Sequence, residues 1–107
     1  MPFDAASEIE LPNEQAIAVL MRMERILSKG WTKGKYEGGG YNFCMMGALY
    51  KSTSSPNGVT TPLAQEVLNH LCKMLPIRSD IIAFNDDPMT THADVLAVVR
   101  RTITSLR

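Results

Sequence analysis

The chain has 107 residues, one domain by length, and its 11 Lys plus Arg balance its 11 Asp plus Glu to a net charge of zero. That balance argues against a globally basic nucleic-acid binder, and a content of 45% apolar and 21% charged residues excludes a disordered chain. The longest apolar stretches are only a few residues, which excludes a transmembrane helix; the acidic opening without an uncharged core argues against a secretory signal, so a cytoplasmic protein is expected.

Residues 1–12 carry Asp4, Glu8 and Glu10 and read as a flexible acidic arm, with residues 13–107 forming a single globular domain. Asn13 is an N-cap candidate for a first helix running to Lys29. Ala16, Val19, Leu20, Met23, Ile26 and Leu27 form its apolar stripe, Arg22, Arg25 and Lys29 fall on the other side, and Gly30 stops it. From 31 to 43 the aromatics Trp31, Tyr36, Tyr41 and Phe43 flank Gly34 and the run Gly38-Gly39-Gly40, a pattern that predicts a short β-hairpin or irregular ribbon. Three glycines also suit a phosphate loop, but no phosphate-loop or dinucleotide-binding frame surrounds them.

Cys44 to Tyr50 reads as a short, buried helix in which Gly47 marks a close approach by another backbone. Ser52 to Thr61 is a loop. Thr61 as N-cap and Pro62 at the first helical position start the next helix, whose face is Leu63, Val67, Leu68, Leu71 and Leu75 and whose end is Pro76. His70 and Cys72 on it read as packing or surface residues. The run Ile81 to Phe84 is a strand or a buried connector, and Asn85 to Pro88 a turn. Thr91 and Asp94 make a capping box for a last helix reaching Ser105, with Val95, Leu96, Val98, Val99 and Ile103 apolar. The fold expected is α+β: a small, mostly helical domain with about four helices and a hairpin-like segment after the first.

Three stretches carry a resemblance. Trp31-x-x-Gly34, Cys44-x-x-Gly47-Ala48-Leu49 and Phe84-Asn85-Asp86-x-Pro88-x-x-Thr91-x-Ala93-Asp94-Val95-Leu96 resemble a family of small bacterial and phage proteins known only as a domain of unknown function. The similarity runs from about Leu20 to Val99. The chain departs from the family pattern at Phe84, where the family has Trp, at Met89, where it has Gly, and at Thr90, where it has Arg. The resemblance implies a fold and a cellular context and supplies no activity.

Four chemistries compete. Trp31, Tyr41, Phe43 and Phe84 suit stacking of a ring. Asn85 and Asp86 suit the edge of a base or ribose, Lys33, Lys35, Arg100 and Arg101 suit phosphate, and helices starting near Cys44 and Thr91 would offer N–H groups. A thiol enzyme would use Cys44 with His92 as base and Asp86 or Asp94 as orienter. A metal-assisted hydrolase would use Asp86, Asp87 and Asp94, without a calcium-loop pattern around them. An interaction module would use the seven methionines.

Two cysteines and two histidines without ligand spacing argue against zinc, and no catalytic residue, metal or cofactor is assigned. The reading is a non-enzymatic binding or regulatory protein for a small anionic ligand such as a nucleotide. Its site residues would be Trp31, Lys33, Tyr41, Phe84, Asn85, Asp86, Thr91 and Arg100. The alternatives are a small hydrolase and a homo-oligomeric interaction module. No membrane partner is expected. The short segment with Lys29, Lys33 and Lys35 makes nucleic acid a minor one.

Overall fold

Helix α1, Leu11–Lys29, is the axis of the molecule. The computed structural model of the chain describes residues 11–40, 42–76 and 80–107. The arm proposed for residues 1–12 therefore falls almost wholly outside the described residues, and so does Tyr41. The helix begins at Leu11, so Asn13 lies within its first turn instead of capping it. Ala16, Val19, Leu20, Met23 and Leu27 are wholly buried, as their three- and four-residue spacing requires, and Ile26 at the edge of the stripe is half-buried. Each fully buried leucine on this stripe contributes about 2 kcal/mol through removal of apolar surface from water.

Four more helices follow: α2, Met45–Ser52; α3, Pro62–Lys73; α4, Ile81–Asp86; and α5, His92–Leu106. Three of the four start on side-chain caps that accept a backbone N–H of the first turn through oxygen: Thr61 from Ala64, Asp80 from Ala83 and Thr91 from Asp94. The fourth, Cys44, caps α2 through sulfur. At α5 the capping box closes in both directions, since the Asp94 carboxylate accepts the Thr91 N–H at 3.0 Å. Helix α1 packs chiefly on α5 and α2, and the common core takes Leu49, Val67, Leu71, Val95, Val98 and Val99.

The α+β expectation is wrong. Among the described residues there are five helices and no strand, only isolated bridges from Phe43 to Trp31 and to Glu37. The segment after α1 turns back through hydrogen bonds from Gly38 N to Asn42 O at 2.8 Å and from Thr32 N to Phe43 O at 3.1 Å. A ladder does not continue because the Thr32 carbonyl accepts from the Asn85 amide and the Gly34 N–H donates to the Asp86 carboxylate, so two backbone groups of this segment are bonded to α4 and not across to a facing strand. The apolar run expected to be strand or connector is helix α4. Asp80 caps it, and Ile81, Phe84 and Asn85, at helical spacing, point inward. Asn85 and Asp86, expected in a turn, are its last two residues.

Candidate functional site

Asn85 is 2% exposed and uses both ends of its amide twice. Its Oδ1 accepts the indole N–H of Trp31 at 2.8 Å and the Met45 N–H at 3.0 Å. Its Nδ2 donates to the Thr32 carbonyl at 3.1 Å and to Asp86 Oδ1 at 2.9 Å. An indole and an amide only donate, and a carbonyl and a carboxylate only accept, so the orientation of the side chain is determined. One residue of α4 thus holds the loop after α1 and the first turn of α2 together. Asp86 Oδ1 also accepts the Gly34 N–H at 2.9 Å, which Gly34 presents from a left-handed backbone at φ 80°. The two aromatic and acidic segments of the sequence reading meet here.

Other candidate residues surround this network. Lys33 Nζ lies 5.3 Å above the centre of the Trp31 ring and donates to the Asp87 carbonyl at 2.6 Å. His92 stacks on the same ring with centroids 5.9 Å apart, and its Nε2 is 2.5 Å from the Leu27 carbonyl. A carbonyl only accepts, so this nitrogen carries the proton and closes the end of α1. Thr91 is spent on the capping box. Phe84 is buried in the core. Arg100 lies apart, its Nε 2.6 Å from Glu24 Oε2.

Cys44 occupies the start of α2. Its Sγ accepts the Gly47 N–H at 3.3 Å, and Asn85 takes the Met45 N–H, so the fold itself uses these two first-turn amides. Burial pushes the Cys44 thiol above its ordinary value of 9.0, with Asp86 nearby adding to the rise and the amides of Gly47 and Met46 opposing it. Cys72 is also raised, by burial and then by Asp80. Raised values mean that both thiols stay protonated at neutral pH. Alkylation by iodoacetamide is expected to rise with pH along profiles whose midpoints exceed 9.0 for both residues, as followed by peptide mass spectrometry. A profile with a midpoint near 7 at Cys44 would contradict this. No hydrogen bond joins Cys44 to His92 among the described residues. Asp86, Asp87 and Asp94 hold Gly34, Met89 and Thr91 respectively, and no cluster of three metal-ligating side chains forms among the described residues.

Beside the network a pocket of about 280 Å³ opens. Cys44, Met46 and Asn85 line it from α2 and α4, and Gly34, Lys35 and Tyr36 from the loop. Ile82 and Asp86 complete the wall, Ile82 being half exposed. Asp86 Oδ2 has no hydrogen-bond partner among the described residues. Of the residues expected at a site, Asn85 and Asp86 line this pocket, while Trp31 and Lys33 do not. Lys35, a candidate phosphate partner in the sequence reading, also lines the pocket, whereas Tyr36, Met46 and Ile82 were not assigned to a site from sequence.

A family model describing a family of unknown function (DUF6197) matches residues 11–105. The chain belongs to this family. The match covers every described helix except the last residue of α5. No curated protein and no solved structure matches the chain. No helix among the described residues is long and apolar enough to cross a membrane.

Proposed function

We propose that this DUF6197 chain is a non-enzymatic binding protein, and that the pocket between the 31–36 segment, α2 and α4 takes a small organic anion. One observation carries the reading. The four hydrogen bonds of Asn85 hold the loop in place over the helices, so the pocket is formed before a ligand arrives. Its floor is apolar, with Cys44 and Met46 below and Tyr36 and Ile82 at the sides. Lys35 supplies positive charge at the lip and Asp86 Oδ2 one acceptor. An apolar body, one hydrogen-bond donor and one anionic group match that arrangement, a description that includes a base with its phosphate.

The test is a thermal-shift panel of nucleotides, sugar phosphates and aromatic or aliphatic carboxylates. A ligand at about 100 times its Kd stabilises by about 2.7 kcal/mol, several degrees for a domain of this size. Lys35→Glu and Ile82→Glu alter exposed positions and are expected to abolish the shift without lowering the Tm of the unliganded protein. A flat panel, or a shift indifferent to both substitutions, would sink the proposal.

A further inference from the structure

A second cavity, of about 440 Å³, opens between α4, the turn after it and α5, and shares no lining residue with the first. Phe84 and Val98 give it an apolar wall. Asp94, Val98 and Arg101 are spaced by four and three residues, so all three face it from one side of α5. The outer two are seven residues apart, about 10 Å along the helix. Asp94 therefore stands at the end where α5 begins, with Asp87 and Thr90 of the preceding turn, and Arg101 stands toward the other end. Thr90 is 8% exposed, yet its hydroxyl has no hydrogen-bond partner among the described residues. Ser52 Oγ is the one unpartnered side-chain oxygen sealed from solvent among them, so the Thr90 hydroxyl opens into the cavity that its residue lines.

We infer that this cavity binds a primary amine that carries a carboxylate at the far end of a short alkyl chain, an ω-amino acid being the simplest case. Each carboxylate at the acidic end spends one oxygen on a neutral amide. Asp87 Oδ1 accepts the Met89 N–H at 2.8 Å and Asp94 Oδ2 the Thr91 N–H at 3.0 Å. Asp87 Oδ2, Asp94 Oδ1 and the Thr90 hydroxyl remain, three acceptors for the three N–H donors of an ammonium group. Lys33 reaches the Asp87 backbone carbonyl, and the start of α5 offsets part of the Asp94 charge. Two carboxylates beside one lysine still leave this end acidic. Arg101 makes no hydrogen bond and no ion pair among the described residues, whereas its neighbour Arg100 is held by Glu24. The like-charge argument applies at both ends. A simple anion meets Asp87 and Asp94, and a simple cation meets Arg101. A dipolar molecule with its amine toward the start of α5 meets neither conflict, and Phe84 and Val98 suit the alkyl chain between its charges.

The experiment is a titration of the full chain with 6-aminohexanoate, hexylamine and hexanoate, followed by the backbone amide signals in proton–nitrogen correlation spectra. Signals of Met89, Thr90 and Asp94 report this cavity, and those of Lys35 and Tyr36 report the first pocket, so the two readings stand or fall separately. 6-Aminohexanoate should move the Met89, Thr90 and Asp94 signals with a Kd about fivefold lower than either one-ended probe, the worth of one exposed ion pair. Arg101→Gln should raise the Kd of 6-aminohexanoate to that of hexylamine and leave hexylamine itself no weaker. Asp87→Asn keeps the acceptor for the Met89 N–H and removes only the charge, and should weaken both amines. Thr90→Val keeps the shape of the buried side chain and should weaken the amines for want of the hydroxyl. A Tm equal to that of the unsubstituted chain establishes that Arg101→Gln and Asp87→Asn leave the fold intact. Signals at Met89, Thr90 and Asp94 that none of the probes moves overturn the inference. Equal response to hexanoate and 6-aminohexanoate, or indifference of 6-aminohexanoate to both Arg101→Gln and Asp87→Asn, overturns it as well. Movement confined to Lys35 and Tyr36 overturns it while leaving the first pocket standing.

Discussion

Replacing Asn85 by Ala is expected to lower the Tm by more than about 10 °C, the shift that a loss of about 3 kcal/mol produces in a domain of this size. The substitution removes four hydrogen bonds at once and leaves the Trp31 N–H, the Met45 N–H and the Thr32 carbonyl without partners. A buried polar group left unpaired costs about 1–3 kcal/mol. Trp31 is half-buried and water reaches part of the gap, so the total falls below the sum of three such losses. Trp31 is the sole tryptophan, which makes the local consequence measurable. Its emission should shift to the red as the ring loses its hydrogen bond and the loop loosens. Asn85→Asp separates the two ends of the amide. The acceptor facing Trp31 and Met45 survives, while an oxygen replaces the donor beside the Thr32 carbonyl and the Asp86 carboxylate. A destabilisation close to that of Ala is expected, since an unfavourable contact of like charges replaces two favourable bonds. A drop of under about 1 kcal/mol in Asn85→Ala, with unchanged emission, would mean that the loop is held by something else.

Gly47→Ala should also destabilise, against the local preference of the helix. Within α2 the propensity difference favours alanine by about 1 kcal/mol. A Cβ on Gly47, however, collides with the Tyr36 carbonyl oxygen and stands 2.9 Å from its carbon and 3.1 Å from the Tyr36 Cα. The obstacle is backbone, and the same carbonyl accepts the Cys44 N–H at 3.1 Å, so it cannot swing aside without breaking the start of α2. Overpacking of this kind costs about 1–3 kcal/mol beyond the propensity gain, and more where backbone must move. The expected result in urea denaturation is a net loss of at least about 2 kcal/mol, with the pocket lip at Lys35 and Tyr36 displaced. Stabilisation by about 1 kcal/mol would instead report that propensity alone governs the position and that Tyr36 does not cross α2 there.

These two residues differ in how far the sequence announces them. A glycine inside an apolar helix signals a close backbone approach, and Gly47 meets one. Asn85 sits in a stretch rich in Asn, Asp and Pro, which reads as a turn whose polar side chains serve their own backbone. Three of its four partners are 40 to 54 residues away in sequence. No local pattern carries that information. Helix α4 was obscured for a related reason. Its apolar residues Ile81, Ile82, Ala83 and Phe84 are contiguous, and a run so short has no legible period. The cap at Asp80 was the available signal, and its value appears only once Ile81, Phe84 and Asn85 are seen to face the core together. The glycine-rich segment misled in the opposite direction. Aromatics around glycines suit a hairpin, but a hairpin needs backbone groups free to pair across it, and α4 takes two of them, the Thr32 carbonyl and the Gly34 N–H.

The sequence by itself determined the long helices, the caps of α3 and α5 and the core stripe of α1, because those follow from periodicity and from side chains acting within one turn. It also determined family membership. Only the tertiary structure decided that the described residues of the 31–43 segment form no strand and that Trp31, Met45 and Asn85 meet. It likewise decided that the apolar pocket borders Asp86 and Lys35, and that a second cavity brings Asp87, Asp94 and Arg101 together. Those features depend on hydrogen bonds and voids between segments far apart in the chain, where the outcome depends on which of several possible partners packing brings within 3 Å.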